Sequence, residues 1–371
     1  MRVQALTFFA IFATALSADW PFNVTELQAP DGSITAKFVP FGSTLTELWV
    51  KDKDGKARDV VLGYDDNTQL RDDPGHPVFN AVAGRYAGRI NGGLFSIPIS
   101  KAPDPTAANT WHIPTNDANG TVTLHGGIIG WDRRNWTVAA QTPTSVTFEH
   151  IDPADEGFPG IVTVQAHHEV TNGGVLRSTI RAKATQLTPI MITQHIYWNL
   201  DAFQDGTDNI LEHKLKLDSS TVLALNETNS IPTGKLIDVT NTPYDFRTER
   251  TFGSKWNDTP KICPGCYGYN SGFVLDKKID TPITLSSKKS GIKLSIQTDQ
   301  AAAVVYTAWW LNAPRKAVHG GPSKSYLNSS AVAIEQQGYI DAINTPEFHQ
   351  NQIYGPSKDY EWQSVYKFST L

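Results

Sequence analysis

Short stretches in which apolar and polar residues alternate recur along the whole chain, and sustained helical periodicity is nearly absent. Ser33 to Val39, Thr44 to Val50, Gly160 to Val170 and Val175 to Ala182 are examples, as are His213 to Leu217, Ile283 to Leu285, Ile292 to Gln297 and Ala331 to Glu335. They are rich in Val, Ile, Thr and aromatic residues, with Gly, Asn, Asp or Pro between them, as strands and turns require. A period of two sends alternate side chains to opposite faces, so each segment can bury one face and wet the other. The chain should therefore be all-β. Its 371 residues would permit two domains on length alone, yet no Pro/Ser-rich linker, charge block or fixed-period repeat divides it. The expectation is a single-domain, large antiparallel β-sandwich.

The start of the chain has a different character. Met1-Arg2-Val3-Gln4 precedes an apolar run from Ala5 to Leu16, then the small residues Ser17 and Ala18. A charged start, a short apolar core and a small-residue cleavage site read as a secretory signal peptide over residues 1–18, leaving 19–371 as the mature domain. The run is too short to anchor a bilayer, and no later stretch has membrane length. N-x-S/T sequons at Asn23, Asn119, Asn135, Asn226, Asn257 and Asn328 fit a glycosylated, secreted protein. The two cysteines, Cys263 and Cys266, stand as C-P-G-C. Neither a βαβ context nor further metal ligands accompany them, so a local disulfide is expected. A net charge of −5 with dispersed Lys and Arg argues against nucleic acid or an anionic membrane as partner, because both need a basic stripe.

Standard chemical signatures are missing. There is no phosphate-cradling glycine loop, no H-E-x-x-H and no G-x-S-x-G. His167 and His168 are neighbours in a probable strand and point to opposite faces, so they cannot share a metal. Asp201, Asp205 and Asp208 lack the spacing of a calcium loop and read as a solvated acidic turn. No metal and no organic cofactor is expected.

What remains are polar residues inside apolar strands, where function tends to break the local pattern. His195 sits in Ile190-Met191-Ile192-Thr193-Gln194-His195-Ile196-Tyr197-Trp198, and Glu335 closes the run Ala331-Val332-Ala333-Ile334. A carboxylate buried without a partner is expensive, so Glu335 needs a pairing residue or a task. Asp245, in Thr242-Pro243-Tyr244-Asp245-Phe246-Arg247, either serves a site or orders its own turn by pairing with Arg247.

Six blocks, in order, make the chain resemble the galactose mutarotase (aldose 1-epimerase) family over almost its full mature length. They are Asn80 to Ile90 with Gly93-Leu94-Phe95; Thr123-Leu124-His125-Gly126-Gly127 with Gly130-Trp131-Asp132 and Trp136; Glu156-Gly157-Phe158-Pro159-Gly160; Gln194 to Leu200; Pro232-Thr233-Gly234 with Thr242 to Arg247; and Ile334-Glu335-Gln336-Gln337 with Asp341-Ala342-Ile343-Asn344. The resemblance implies a mutarotase-type supersandwich in a secreted eukaryotic, fungal member. It implies an isomerase that interconverts the α and β anomers of free galactose or glucose, with His195 as general acid and Glu335 as general base. It assigns Arg89, His125 and Asp245 to substrate binding and Tyr197 to the sugar-facing wall, with Trp131, Trp309 and Trp310 as weaker wall candidates. A small-molecule monosaccharide is the only partner implied. The chain departs from the family pattern at Gly88, where many relatives place Asn, at Asn270-Ser271-Gly272, which replaces a D-H-N-type triplet, and at Val304 and Trp309. These departures bear on sugar preference.

Two other readings belong to different classes. Asp245 and Glu335 could form the carboxylate pair of a glycoside hydrolase, or the fold could carry a non-catalytic carbohydrate-binding protein. A hexose-6-phosphate epimerase would ask for an arginine cluster that the sequence does not offer.

Overall fold

The computed structural model describes residues 20–263, 265–276 and 282–371, so the signal peptide expected over residues 1–18 lies outside the described residues. Two large antiparallel sheets form the body. The nine-stranded sheet runs, edge to edge, Thr137–Gln141, Ser145–Asp152, Val162–Thr171, Val175–Ala184, Tyr360–Thr370, Ile292–Thr298, Ile283–Ser286, Lys214–Lys216 and Arg250–Thr251. The six-stranded sheet runs Tyr197–Trp198, Val332–Gln337, Ala302–Tyr306, Asn270–Val274, Thr221–Leu225 and Pro232–Asp238. A four-stranded sheet spanning Thr25–Gln28 to Ala57–Asp59 completes the sandwich.

One core joins all three sheets. Leu27, Ala36 and Phe38 of the small sheet pack with Val146, Val164, Ile180, Leu294 and Trp362 of the large one, and with Val222, Phe273, Val305 and Ile334 of the six-stranded one. Each large side chain so buried stabilises the fold by about 1.5–3 kcal/mol. The alternation read from the sequence is visible here, since every second residue of Val162–Thr171 is buried.

Val332–Gln337 is different, being buried along its whole length. Val332 and Ile334 point into the core. Gln336, on the same face, has its amide oxygen held by the Tyr366 hydroxyl at 2.8 Å and by Ser364 at 3.2 Å, while Trp362 donates to its carbonyl at 2.7 Å. Ala333, Glu335 and Gln337 therefore face the other way, away from the core. The same parity puts Ala303, Val305 and Phe273 in the core and Val304, Tyr306 and Asn270 on the outer face. That outer face is the floor of a cavity.

Two buried ion pairs hold the walls around it. Arg85 meets Asp152 at 2.7 Å and donates to the carbonyls of Pro159 and Gly160, and Trp131 donates to the same carboxylate at 2.7 Å. Lys316 meets Asp59 at 2.7 Å and tethers the segment 313–326, which follows the cavity residue Asn312, to the four-stranded sheet. Breaking either pair by removing one partner would strand a buried charge.

Candidate active site

The cavity has a volume of about 570 Å³ and opens over the six-stranded sheet. Its deepest chemistry is the pair His195 and Glu335, whose Nε2 and Oε1 lie 3.4 Å apart with both side chains almost wholly buried. Glu335 comes from the outer face of Val332–Gln337, in register with Val304. His195 comes from the irregular turn between two short strands, and its backbone is fixed on both sides: its N–H donates to Ala81 and its carbonyl accepts from Asn80. Asn80 also accepts from the Tyr197 N–H at 2.9 Å and donates to the carbonyls of Leu45 and Leu62. One buried amide thus sets the direction of both His195 and Tyr197, and the Tyr197 ring lies against the imidazole at 4.9 Å.

Burial pushes the Glu335 carboxyl above the ordinary glutamate range, and the nearby His195 and Arg89 pull part of the way back. A carboxylate raised in this way is a stronger base than one in water. His125 stands edge-on to His195 at 5.3 Å. Burial, then His195, His76 and Arg89, hold its imidazole well below the usual histidine range. It is therefore neutral near pH 7, and its buried Nδ1 has no protein partner among the described residues. Such an atom is available to a hydroxyl. The Leu124-His125-Gly126-Gly127 turn needs its glycines: Gly126 has φ +93°, and a Cβ there would collide with the Gly84 carbonyl.

The remaining expected residues divide. Arg89 lines the cavity and is paired with Asp117 at 2.9 Å, which also lines it. Tyr197 forms part of the wall, and so does Trp310. Trp309 is half-buried beside it, and Trp131 is a core residue bonded to Asp152. Asp245 requires a correction. It is not among the residues lining the cavity, and its carboxylate is taken by Arg247, through Nε at 2.9 Å and Nη2 at 2.8 Å. A local ion pair orders the turn, which was the alternative the sequence left open.

The cavity also contains residues that the sequence had not marked as ligands. Asn270, Tyr306 and Gln337 lie on its floor, and His76 and Asn312 on its walls. Asn270 carried a signal, as one of the departures from the family pattern. His76 carried none, because it reaches the site from the Gly75-His76-Pro77-Val78 segment just ahead of the Asn80 block. Gly88 has a physical account: a Cβ would sit 2.6 Å from Met191 Cε, so Met191 fills the space that a side chain here would need.

The other sequence expectations also find places. Cys263 and Cys266 form a disulfide. Asn119, Asn135, Asn226, Asn257 and Asn328 are exposed, while Asn23 is half-buried. Asp201 turns inward to Ser287 and the Ser290 N–H, and Asp208 pairs with Arg315. His168 bridges Ser43 and Ser178 inside the core region. Among the described residues no cluster of three His, Cys, Asp or Glu side chains is arranged to hold a metal ion.

The floor of a β-supersandwich that carries one buried carboxylate beside one histidine, within a polar and aromatic cavity, defines an acid–base site for a small polyhydroxylated molecule. The aldose 1-epimerase family model matches residues 24–367, so the chain belongs to the aldose 1-epimerase family. A probable aldose 1-epimerase of Arthroderma benhamiae is 33% identical, covering 91% of this chain and 83% of that one. The galactose mutarotase of Mus musculus is 31% identical, covering 94% of each. A solved aldose epimerase homologue from C. elegans superposes with a TM-score of 0.81 at 28% identity, covering 94% of this chain and 99% of that one.

Proposed function

We propose that the chain catalyses the interconversion of the α and β anomers of free hexoses, galactose and glucose, with Glu335 as base and His195 as acid. The enzyme is an aldose 1-epimerase, an isomerase. The observation that carries the residue assignment is the 3.4 Å approach of His195 Nε2 to Glu335 Oε1 at the buried end of the cavity.

Glu335, ionised, takes the proton of the anomeric hydroxyl. As the C1–O1 bond becomes a carbonyl, the C1–O5 bond breaks, and O5 takes a proton from the His195 imidazolium. The aldehyde rotates about C1–C2, and the O5 hydroxyl adds to its other face while both protons return. Acid and base stand side by side, His195 Nε2 being 3.4 Å from Glu335 Oε1. Neighbours suffice, because O1 and O5 are bonded to the same carbon. Each proton transfer contributes roughly 10²–10⁴-fold. Neutral His125 and the Asp117-held Arg89 are the natural donors to sugar oxygens.

The hydrolase reading loses its second carboxylate, since Asp245 lies outside the cavity and is paired with Arg247. A phosphorylated sugar is also disfavoured, because Arg89 is already neutralised by Asp117. The protein is further read as the secreted, glycosylated product of a eukaryote, a fungus, whose leader occupies residues 1–18. The leader-like start, the exposed sequons and the disulfide support that reading. Polarimetry on freshly dissolved α-D-galactose and α-D-glucose tests the activity, with Glu335→Gln and His195→Asn as controls. Loss of acceleration in both variants is expected. A folded native sample that accelerates neither sugar would leave a carbohydrate-binding protein.

A further inference from the structure

His76 lines the cavity yet takes no part in the proton transfers assigned to Glu335 and His195. Its place is built by the residues around it. Asp73 orders the turn ahead of it, accepting from the Gly75 N–H at 2.7 Å and from the Tyr64 hydroxyl, while Arg133 and the His76 N–H donate to the Asp73 carbonyl. His76, Val78 and Asn80 then hold φ at +41°, +55° and +56°, a region that residues other than glycine seldom occupy. The crinkled segment packs Phe79 among buried side chains, sets Asn80 behind His195 and Tyr197, and leaves His76 at the cavity. The ring is locked in turn. His76 Nε2 lies 2.5 Å from Oδ2 of Asp132, whose side chain is 3% exposed. A carboxylate only accepts, so Nε2 carries the hydrogen of this bond. Asp132 belongs to the turn that also carries His125, and Gly130, at φ +67°, lets the two close up: a Cβ there would collide with the His125 carbonyl and lie 2.7 Å from Asp132 Oδ1. The other ring nitrogen of His76, Nδ1, is engaged by no hydrogen bond among the described residues. His76 helps to hold the His125 imidazole below the usual histidine range but is not among the charges acting on Glu335. It therefore stands beyond His125 from the reacting pair, facing ring carbons other than C1.

We propose that His76 is a further substrate-binding residue, its Nδ1 accepting a hydrogen bond from one non-anomeric hydroxyl of the sugar, with Asp132 as the positioning residue that fixes the tautomer and aims the ring. This rests on the epimerase reading of the cavity. Arg89 can only donate, whereas an Nδ1 whose partner nitrogen holds the hydrogen can only accept. The His76 wall thus takes up the hydrogen of a hydroxyl and leaves its oxygen to a donor elsewhere. An acceptor fixed in direction also selects for configuration, because a sugar inverted at that carbon points its hydroxyl away and leaves Nδ1 without a partner.

The test is anomer exchange on glucose, its monodeoxy analogues and the matching deoxyfluoro sugars, with the native protein, His76→Ala and His76→Gln. His76→Gln keeps a donor for Asp132 where Nε2 stands and removes the Nδ1 acceptor, so it should melt with the native protein. In both variants KM for glucose should rise roughly three- to tenfold, the worth of one hydrogen bond, with kcat nearly unchanged, as the loss of a contact made equally in ground and transition states requires. On one deoxy sugar native and variant proteins should be equal, because the missing hydroxyl is the one His76 holds. Its deoxyfluoro partner should behave the same way, since C–F has no hydrogen to give. An unchanged KM in His76→Gln, or variants weakened equally on every sugar, overturns the contact and leaves His76 as an anchor of its loop. Two measurements need no turnover and so separate this from the catalytic reading. Calorimetric affinities for the same sugars should show the same single-hydroxyl deficit even if no sugar is epimerised. In the native protein the His76 Nδ1 resonance, followed by nitrogen NMR, should shift on adding glucose and stay in place with that one deoxy sugar; a resonance indifferent to glucose removes the contact.

Discussion

Glu335 is held in a place that costs stability. Its folded-state pKa is raised by burial, so the folded protein binds that proton more tightly than the unfolded chain does. The contribution is favourable below the unfolded glutamate pKa and is lost as pH rises through the raised folded value. At neutral pH the ionised side chain therefore opposes folding, and Glu335→Gln should melt higher than the native protein, by on the order of 2 °C for each kcal/mol recovered. The gap should widen from pH 4 to pH 8 in calorimetric scans, and a gap independent of pH would contradict the assignment. The same raised pKa fixes the acid limb of the rate. kcat/KM should fall, as pH drops, at a higher pH than an ordinary glutamate would give, and stopped-flow polarimetry in weak buffers reads this directly. Asp245→Ala and Asn270→Ala form a contrasting pair. The first removes a turn-ordering ion pair outside the cavity and should leave kcat/KM within about threefold, at the level of a surface pair. The second removes an amide from the floor and should raise KM about tenfold, the worth of one hydrogen bond to a polar ligand. Asp245 was legible as either a ligand or a turn former, and its own neighbour Arg247 decided the matter, since a cation two residues away captures a carboxylate more readily than a ligand across a loop.

At the level of strands, alternation was a sound guide wherever one face meets the core and the other meets water. Val162–Thr171 and Val175–Ala184 fall close to the segments read from their pattern. The strand that carries Glu335 was counted among the alternating segments, as Ala331 to Glu335, yet both of its faces are covered and every residue of Val332–Gln337 is buried. Tyr360–Thr370 was not singled out in the sequence although it alternates cleanly, and it proves central, pairing with Val175–Ala184 on one side and Ile292–Thr298 on the other. Trp362, fully buried on this strand, touches the strand that bears Glu335 by donating to the Gln336 carbonyl. Trp362→Ala should destabilise the fold by about 3–5 kcal/mol, measured by denaturant midpoint. It should also lower the activity of the fraction that remains folded, because it loosens the strand holding Glu335.

For the molecule as a whole, the class of fold could be read in the sequence, since period-two patterning is a local signal, and the two neighbours His195 and Glu335 were marked there as polar residues in apolar runs. The cavity could not be read there. Its lining comes from residues 75–78, 87–89, 117, 124, 125, 195, 197, 225, 270, 304, 306, 310–312, 335, 337 and 340, and no local pattern announces which distant segments will meet. His76 is the plainest case. The disulfide is a whole-molecule matter of small weight, closing a loop with a separation of three residues. Replacing both cysteines with serine should cost about 2 kcal/mol at most, seen as a shift of a few degrees in Tm, and a collapse of the fold would show that the bridge does more than close its loop.

The way Glu335 and His195 are brought together has a kinetic consequence. The strand bearing Glu335 pairs with Tyr197–Trp198 and Ala302–Tyr306, and His195 depends on Asn80, so the contact between them closes loops longer than a hundred residues. Such long-range closure is slow and comes late in folding. Epimerase activity regained after dilution from denaturant should therefore lag behind the recovery of sheet signal, which makes the sugar reaction a clock for the last step of assembly.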